Sequence, residues 1–208
     1  LATSAATAVA ANAALDLTVT NSILNAQATG QSVGSSSTDA LAIDTNGDIV
    51  ASNSYIGALQ SNTDLNFGFS KAAAVSTTKN AQVIGSTISA TTSGSSVVGA
   101  NTDNVAINVG GNIFVDSSNI TAIQANASAN QAESQTFGLL SYIQGNIVLQ
   151  NHSTVNSISY GSSAAGRATT AWGLLASSNI TVSDSIVTTN QMSDATNFGD
   201  AKSRAIFN

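Results

Sequence analysis

Asn112-Ile113-Phe114-Val115-Asp116-Ser117-Ser118-Asn119-Ile120-Thr121-Ala122 reads as two short strands broken by a serine corner. Thirty-two residues earlier stands Asn80-Ala81-Gln82-Val83-Ile84-Gly85-Ser86-Thr87-Ile88-Ser89-Ala90. Another thirty-two back stands Asp48-Ile49-Val50-Ala51-Ser52-Asn53-Ser54-Tyr55-Ile56-Gly57-Ala58. Leu24, Ile56, Ile88 and Ile120 thus form one apolar column, with the small Ala26, Ala58, Ala90 and Ala122 two positions on. Leu17, Ile49, Ala81 and Ile113 form a second column, and Ile43, Val75 and Ile107 a third. A unit this short cannot bury its own apolar face. Stacking copies of it buries a continuous core, so the fixed period predicts a solenoid.

Within each unit the apolar residues alternate at period two, the signature of strands. The first strand recurs at Asp16–Val19, Asp48–Ala51, Asn80–Val83, Asn112–Val115, Asn146–Leu149 and Asn179–Val182. The register slips by two residues at the fifth unit and by one at the sixth, as turn insertions would cause. The second strand carries Leu24, Ile56, Ile88, Ile120, Val155 and Ile186 inward, with Ala26, Ala58, Ala90, Ala122, Ser157 and Thr188 beside them. It is preceded by Ser22, Ser54, Ser86, Ser118, Ser153 and Asp184. The third strand is assigned to Leu41/Ile43, Ala73/Val75, Val105/Ile107, Leu139/Ser141, Leu174/Ala176 and Ala205/Phe207, with Val9 and Ala11 one period earlier. Between second and third strands, residues 27–38, 59–70, 91–102, 124–136, 159–171 and 189–203 are rich in Gly, Ser, Thr and Asn and read as variable loops. The expected fold is a single all-β domain over residues 1–208. It is a parallel β-helix, right-handed by the crossover rule, of about six coils of about 32 residues and three strands each. At about 4.8 Å per coil, its core is roughly 30 Å long.

Composition narrows the function. The net charge is −6, with five Lys and Arg in 208 residues. That opposes nucleic acid, whose binding depends on cations neutralising phosphates, and an anionic membrane surface. No apolar run approaches the roughly 20 residues of a membrane span. Leu1–Ala14 lacks the basic segment of a signal peptide, and the missing initiator Met suggests a processed or excised segment. There is no cysteine and no proline.

Several residues invite specific chemistry. Asp16, Asp48, Asn80, Asn112, Asn146 and Asn179 fall at one turn, where side chains can hydrogen-bond from coil to coil. Asp16 and Asp48 would repel unless a cation or solvent intervenes. Asp44-Thr45-Asn46-Gly47-Asp48 is oxygen-rich like a calcium loop, although it lacks the remaining EF-hand ligands and the closing Glu. Asp16, Asp44, Asn46 and Asp48 are therefore the candidate calcium ligands, and no other cofactor is expected. Thr18, Val50, Gln82, Phe114, Val148 and Thr181 point outward from the first strand. Val50, Phe114 and Val148 make its middle apolar, as a contact surface would be. Phe137 and Trp172 each precede Gly and should pack together one coil apart, in the rim or as a sugar-stacking platform. Catalysis finds little support. His152 is the sole histidine, and Asp39, Asp64, Asp103, Glu133 and Asp194 are dispersed along the loop side rather than paired across a groove. Four Asn-x-Ser/Thr sequons, at Asn119, Asn126, Asn151 and Asn179, are what an Asn-, Ser- and Thr-rich chain produces by chance. Thr18, Thr121 and Thr181 do not line up in successive coils as an ice-binding array would.

Gly111-Asn112-Ile113-Phe114-Val115 and Gly145-Asn146-Ile147-Val148-Leu149, with the variant Ser178-Asn179-Ile180-Thr181-Val182, resemble the repeats of bacterial secreted β-helix adhesins. These are the filamentous-haemagglutinin-like exoproteins and autotransporter passengers. Ser117-Ser118-Asn119-Ile120 continues the likeness, which extends over most of the chain. The resemblance implies an extracellular or cell-surface rod, used for adhesion or as a stalk, with a host or matrix glycan as a candidate partner. No evident capping segment occurs. A solenoid without caps exposes unpaired strand edges, so Val9 and Ala11 at one end and Ala205 and Phe207 at the other are the expected head-to-tail contacts. The expected function is a non-enzymatic structural subunit or segment of an extracellular fibre or adhesin. A carbohydrate-binding or carbohydrate-cleaving β-helix and an ice-binding solenoid are the alternatives.

Overall fold

Parallel pairing organises the described chain, at an offset of 32 residues through the first four coils and of 34 or 35 into the fifth. The structure is a computed structural model that describes residues 6–33, 37–66, 69–96, 101–128, 133–162, 169–193 and 201–208. Strand β1 (Ala6–Ala13) leads. Three-strand coils follow: β2 (Leu17–Thr20), β3 (Ile23–Val33) and β4 (Ser37–Thr45), then β5 (Ile49–Ser52), β6 (Tyr55–Asn66) and β7 (Phe69–Thr77). Next come β8 (Ala81–Ile84), β9 (Thr87–Ser96) and β10 (Asn101–Val109), and β11 (Ile113–Asp116), β12 (Asn119–Ser128) and β13 (Glu133–Ser141). The last two are β14 (Ile147–Gln150), β15 (Thr154–Ser162) and β16 (Thr169–Ala176), and β17 (Ile180–Val182), β18 (Ile186–Ser193) and β19 (Ala201–Phe207).

Like strands stack on like. A short six-stranded sheet runs β2-β5-β8-β11-β14-β17, a second six-stranded sheet β3-β6-β9-β12-β15-β18, and a third, seven-stranded, β1-β4-β7-β10-β13-β16-β19. Ile56 pairs with Ile88 and Ile88 with Ile120, as the period requires. Ile43, Ile49, Ile56, Ile88, Ile107, Ile113, Ile120, Leu139, Ile147, Leu149 and Leu174 are fully buried in one core. The alanine column at 26, 58, 90 and 122 is buried beside them. Small side chains there let the second and third sheets face each other closely.

Three expectations need correction. The segments read as loops are largely strand. The second sheet runs on to Val33, Asn66, Ser96, Ser128, Ser162 and Ser193, and the third begins at Ser37, Phe69, Asn101, Glu133, Thr169 and Ala201. Polar, turn-prone residues hold extended backbone here because each coil hydrogen-bonds to the next whatever the side chain. The intervening connections, and Asp194 with them, lie outside the described residues.

The last coil is shifted by one residue. Val155 pairs with Val187, and Ile186 is 63% exposed, so Val187 and Thr189 replace Ile186 and Thr188 in the inward columns. Ser185 then replaces Asp184 in the serine column. Two extra residues in the turn before β14 and one at the corner, where Asn151 and His152 both take positive φ, bring the offset into coil five to 35 residues.

The third strand also realigns. Val105 pairs with Phe137 and Phe137 with Trp172, so Phe137/Leu139 and Trp172/Leu174, not Leu139/Ser141 and Leu174/Ala176, continue the column of Val105/Ile107. Arg204/Ile206 follow in place of Ala205/Phe207. A local irregularity causes the ambiguity. Ala42, Ala74 and Ala106 are buried next to the equally buried Ile43, Val75 and Ile107, so two successive residues turn inward. Gly138 and Gly173 occupy the same place, and a Cβ on them would come within 2.4 Å of Val155 and 2.5 Å of Val187 respectively.

Candidate functional site

The turn ladder begins at Asp16. The backbone N–H of Asp48, Asn80, Asn112, Asn146 and Asn179 each donates to the side-chain Oδ1 one coil earlier, at 2.8–3.1 Å. The carboxamides of Asn80, Asn112 and Asn146 add a second donation to the same oxygen, at 2.9–3.1 Å. A second ladder runs the opposite way one corner later. Each of Ser22, Ser54, Ser86 and Ser118 receives its position from the next coil: its N–H donates to the following serine Oγ at 3.1–3.2 Å. That hydroxyl in turn donates back to its own corner carbonyl. The residue before each serine is left-handed, with φ of 50° at Asn21, 48° at Asn53, 54° at Gly85 and 49° at Ser117. Asn and Gly suit that conformation.

One of the four candidate calcium ligands stands off the turn that carries the others. Asp44 lies on β4, paired with Asn12 and Ser76 rather than at the turn. Oδ1 of Asp16 and of Asp48 accept backbone N–H groups, and the Asn46 carbonyl accepts from the Thr78 hydroxyl at 3.1 Å. Among the described residues, no three His, Cys, Asp or Glu come together to hold a metal.

The outward column of the short sheet is as read: Thr18, Val50, Gln82, Phe114, Val148 and Thr181 pair in succession. Val50, Phe114 and Val148 are half-buried. A shallow recess of about 320 Å³ lies over Gln82 between Val50 and Phe114. The outward positions of the second sheet run through Asn25, Gly57, Ser89, Thr121, Asn156 and Thr188 in one row and Gln27, Leu59, Thr91, Ile123, Ile158 and Asn190 in the next. Neither row carries a charge, and neither is a threonine array.

Charges sit on the outer face of the third sheet. Lys71 is paired in register with Asp39 on one side and Asp103 on the other. Burial raises the Asp39 pKa, opposed by the charge of Lys71. Asp116, on the short sheet, is held below the ordinary aspartate range by hydrogen bonds from Ser117, Gln150 and Asn151. His152 is exposed at its inserted corner, where its backbone N–H donates to the Asp184 carbonyl at 2.6 Å.

One feature escaped the sequence reading and a second was read only in part. Gln60, Thr92, Gln124 and Ser159 form a buried polar column where loops were expected. They lie between the sheets near buried Asn104 and Thr136 of the third sheet. Ser159 donates to Gln124 Oε1 at 2.8 Å and Asn104 Nδ2 to the Ala90 carbonyl at 3.2 Å, whereas the Gln60 amide, Thr92 Oγ1 and Thr136 Oγ1 find no protein partner. The 32-residue spacing of Gln60, Thr92 and Gln124 was the available signal.

The other is an aromatic cluster on the outer face of the third sheet. Phe137 and Trp172 stack as read, with centroids 6.4 Å apart and planes 8° from parallel. Phe207 joins them edge-on at 5.0 Å from Trp172, and the Arg204 guanidinium lies 5.2 Å from the Trp172 ring and 4.8 Å from that of Phe207. At the ends, Val9 is 40% exposed on edge strand β1, while Ala11 packs on the core; Ala205 and Phe207 are exposed on edge strand β19.

No protein-family model matches the chain, and neither does any curated protein or solved structure.

Proposed function

We propose that this chain is a structural rod segment of an extracellular fibre or adhesin, extended end to end through its strand edges. One observation carries the reading: all three sheets keep their columns in register through every described coil and leave unpaired edges at both ends, β2, β3 and β1 at one and β17, β18 and β19 at the other. Such edges template further strands of the same kind. A contact between unlike ends does not close on itself and so propagates. The extracellular setting rests on the resemblance to secreted β-helix adhesins.

When β19 of one copy pairs with β1 of the next, the third sheet runs on through the joint. Electron microscopy with sedimentation velocity tests this. The expected result is unbranched rods whose length grows with protein concentration. Compact particles of fixed size at every concentration would refute it.

A further inference from the structure

We infer that the aromatic cluster on the third sheet is a binding site for a hexuronate residue of an acidic polysaccharide. A recess of about 280 Å³ opens there, lined by Gln135, Phe137, Thr170, Trp172, Leu175 and Phe207. Its walls combine what a sugar ring needs. Phe137 and Arg204 flank the Trp172 ring on its two sides, so Phe207, Leu175 and the ring edges make the apolar wall that the axial C–H face of a pyranose would meet. Thr170 is 8% exposed, and its hydroxyl has no partner within the protein. A buried, unsatisfied hydroxyl is costly, and a ligand hydroxyl would satisfy it. Gln135, its register neighbour one coil earlier, is half-buried and adds an amide at the same wall.

A cation chooses the sugar's charge. In a chain with only five Lys and Arg, Arg204 falls on β19, paired with Trp172. Arg204 lies against the Trp172 and Phe207 rings at the rim, with no carboxylate partner among the described residues. An arginine so placed can take a carboxylate in a bidentate, charge-assisted pair while keeping its ring contacts. The recess lies on the outer face of the sheet, but Arg204 and Phe207 stand on edge strand β19, so it is assayed on single copies, below the concentration at which rods form.

Trp172 is the only tryptophan, so its emission reports this recess alone. Titration of the intact chain with tetragalacturonate should give a saturable change in Trp172 fluorescence. The fully methyl-esterified tetramer, which has the same ring without the charge, should bind roughly tenfold more weakly. Arg204→Gln should abolish that preference. Thr170→Val should weaken both ligands by about fivefold, with unchanged circular dichroism. No saturable change with either oligosaccharide at millimolar concentration overturns the assignment, as does binding that Thr170→Val and Arg204→Gln both leave untouched. Equal affinity for acid and ester overturns the choice of an acidic sugar.

Discussion

At the turn before each first strand, a carboxamide can do what a carboxylate cannot. Asn80 both accepts from Asn112 and donates its own amide to Asp48; Asp48 only accepts, so its step to Asp16 has the backbone bond and nothing more. Asp48→Asn should therefore add a donor to the Asp16 carboxylate and stabilise the rod by about 1 kcal/mol, the ordinary net worth of a hydrogen bond. Asn112→Asp should do the reverse by about the same amount; urea titration of both variants at neutral pH reads the difference. The two perturbed aspartates move oppositely with acid. Asp116 has a lowered folded-state pKa, so its contribution is complete above the ordinary aspartate range and is lost as the pH falls through the folded value. Asp39 has a raised one, so it costs stability once ionised and that cost is relieved as the pH falls. Carboxyl carbon NMR should find Asp39 titrating above Asp116; the reverse order would mean that the hydrogen bonds around Asp116 do not persist in solution.

Strand by strand, the first element of each coil was legible, the second as far as Val155, and the third as far as Val105/Ile107 but not beyond. Ile88 stands alone between Thr87 and Ser89, so alternation assigns its face without ambiguity. Phe137-Gly138-Leu139-Leu140 offers apolar residues on both faces, and the two successive inward positions break the alternation that would decide between them. Ile186 and Val187 pose the same problem with two adjacent β-branched residues. Backbone pairing to the coil below settles it, and that long-range constraint has no local sequence signature. Val187→Ala should accordingly cost about 1–2 kcal/mol by loss of buried methyls, while Ile186→Ala should change stability by less than about 0.5 kcal/mol; equal costs in chemical denaturation would restore the sequence assignment. The polar column was missed for the opposite reason, because composition suggested loops. Gln60 gains nothing from its buried amide, so Gln60→Met, close in volume and free of polar donors, should be neutral or stabilising by up to about 2 kcal/mol. A clear loss in thermal melting would show that the amide is satisfied in solution by ordered water.

For the molecule as a whole, the ladders make each coil an interchangeable unit. Its side chains meet equivalent residues above and below, and its caps and corners are supplied by the neighbouring coils' Asn and Ser rather than by a separate scaffold. Stability in such an array is close to a sum of coil and interface contributions. This has a sharp consequence for deletion. Excising residues 81–112 joins Asn80 to Ile113, and Asn80 then stands where Asn112 stood. Ile113 stacks on Ile49, Ile120 on Ile56 and Phe137 on Ala73, each on its proper face. The shortened chain should fold cooperatively, with unchanged β-sheet dichroism and a lower melting temperature. Excising 82–112 instead removes one residue fewer and leaves Ala81 before Ile113. Because the side-chain period is two, that single residue turns the inward set of the following strand outward. The second deletion should give an aggregating or unfolded chain under conditions where the first is soluble. If both fold, the turn before Ile113 absorbs the extra residue as the corner at Asn151-His152 does; if neither folds, the coils are not stacked like upon like, and both the rod and its end-to-end extension fail together.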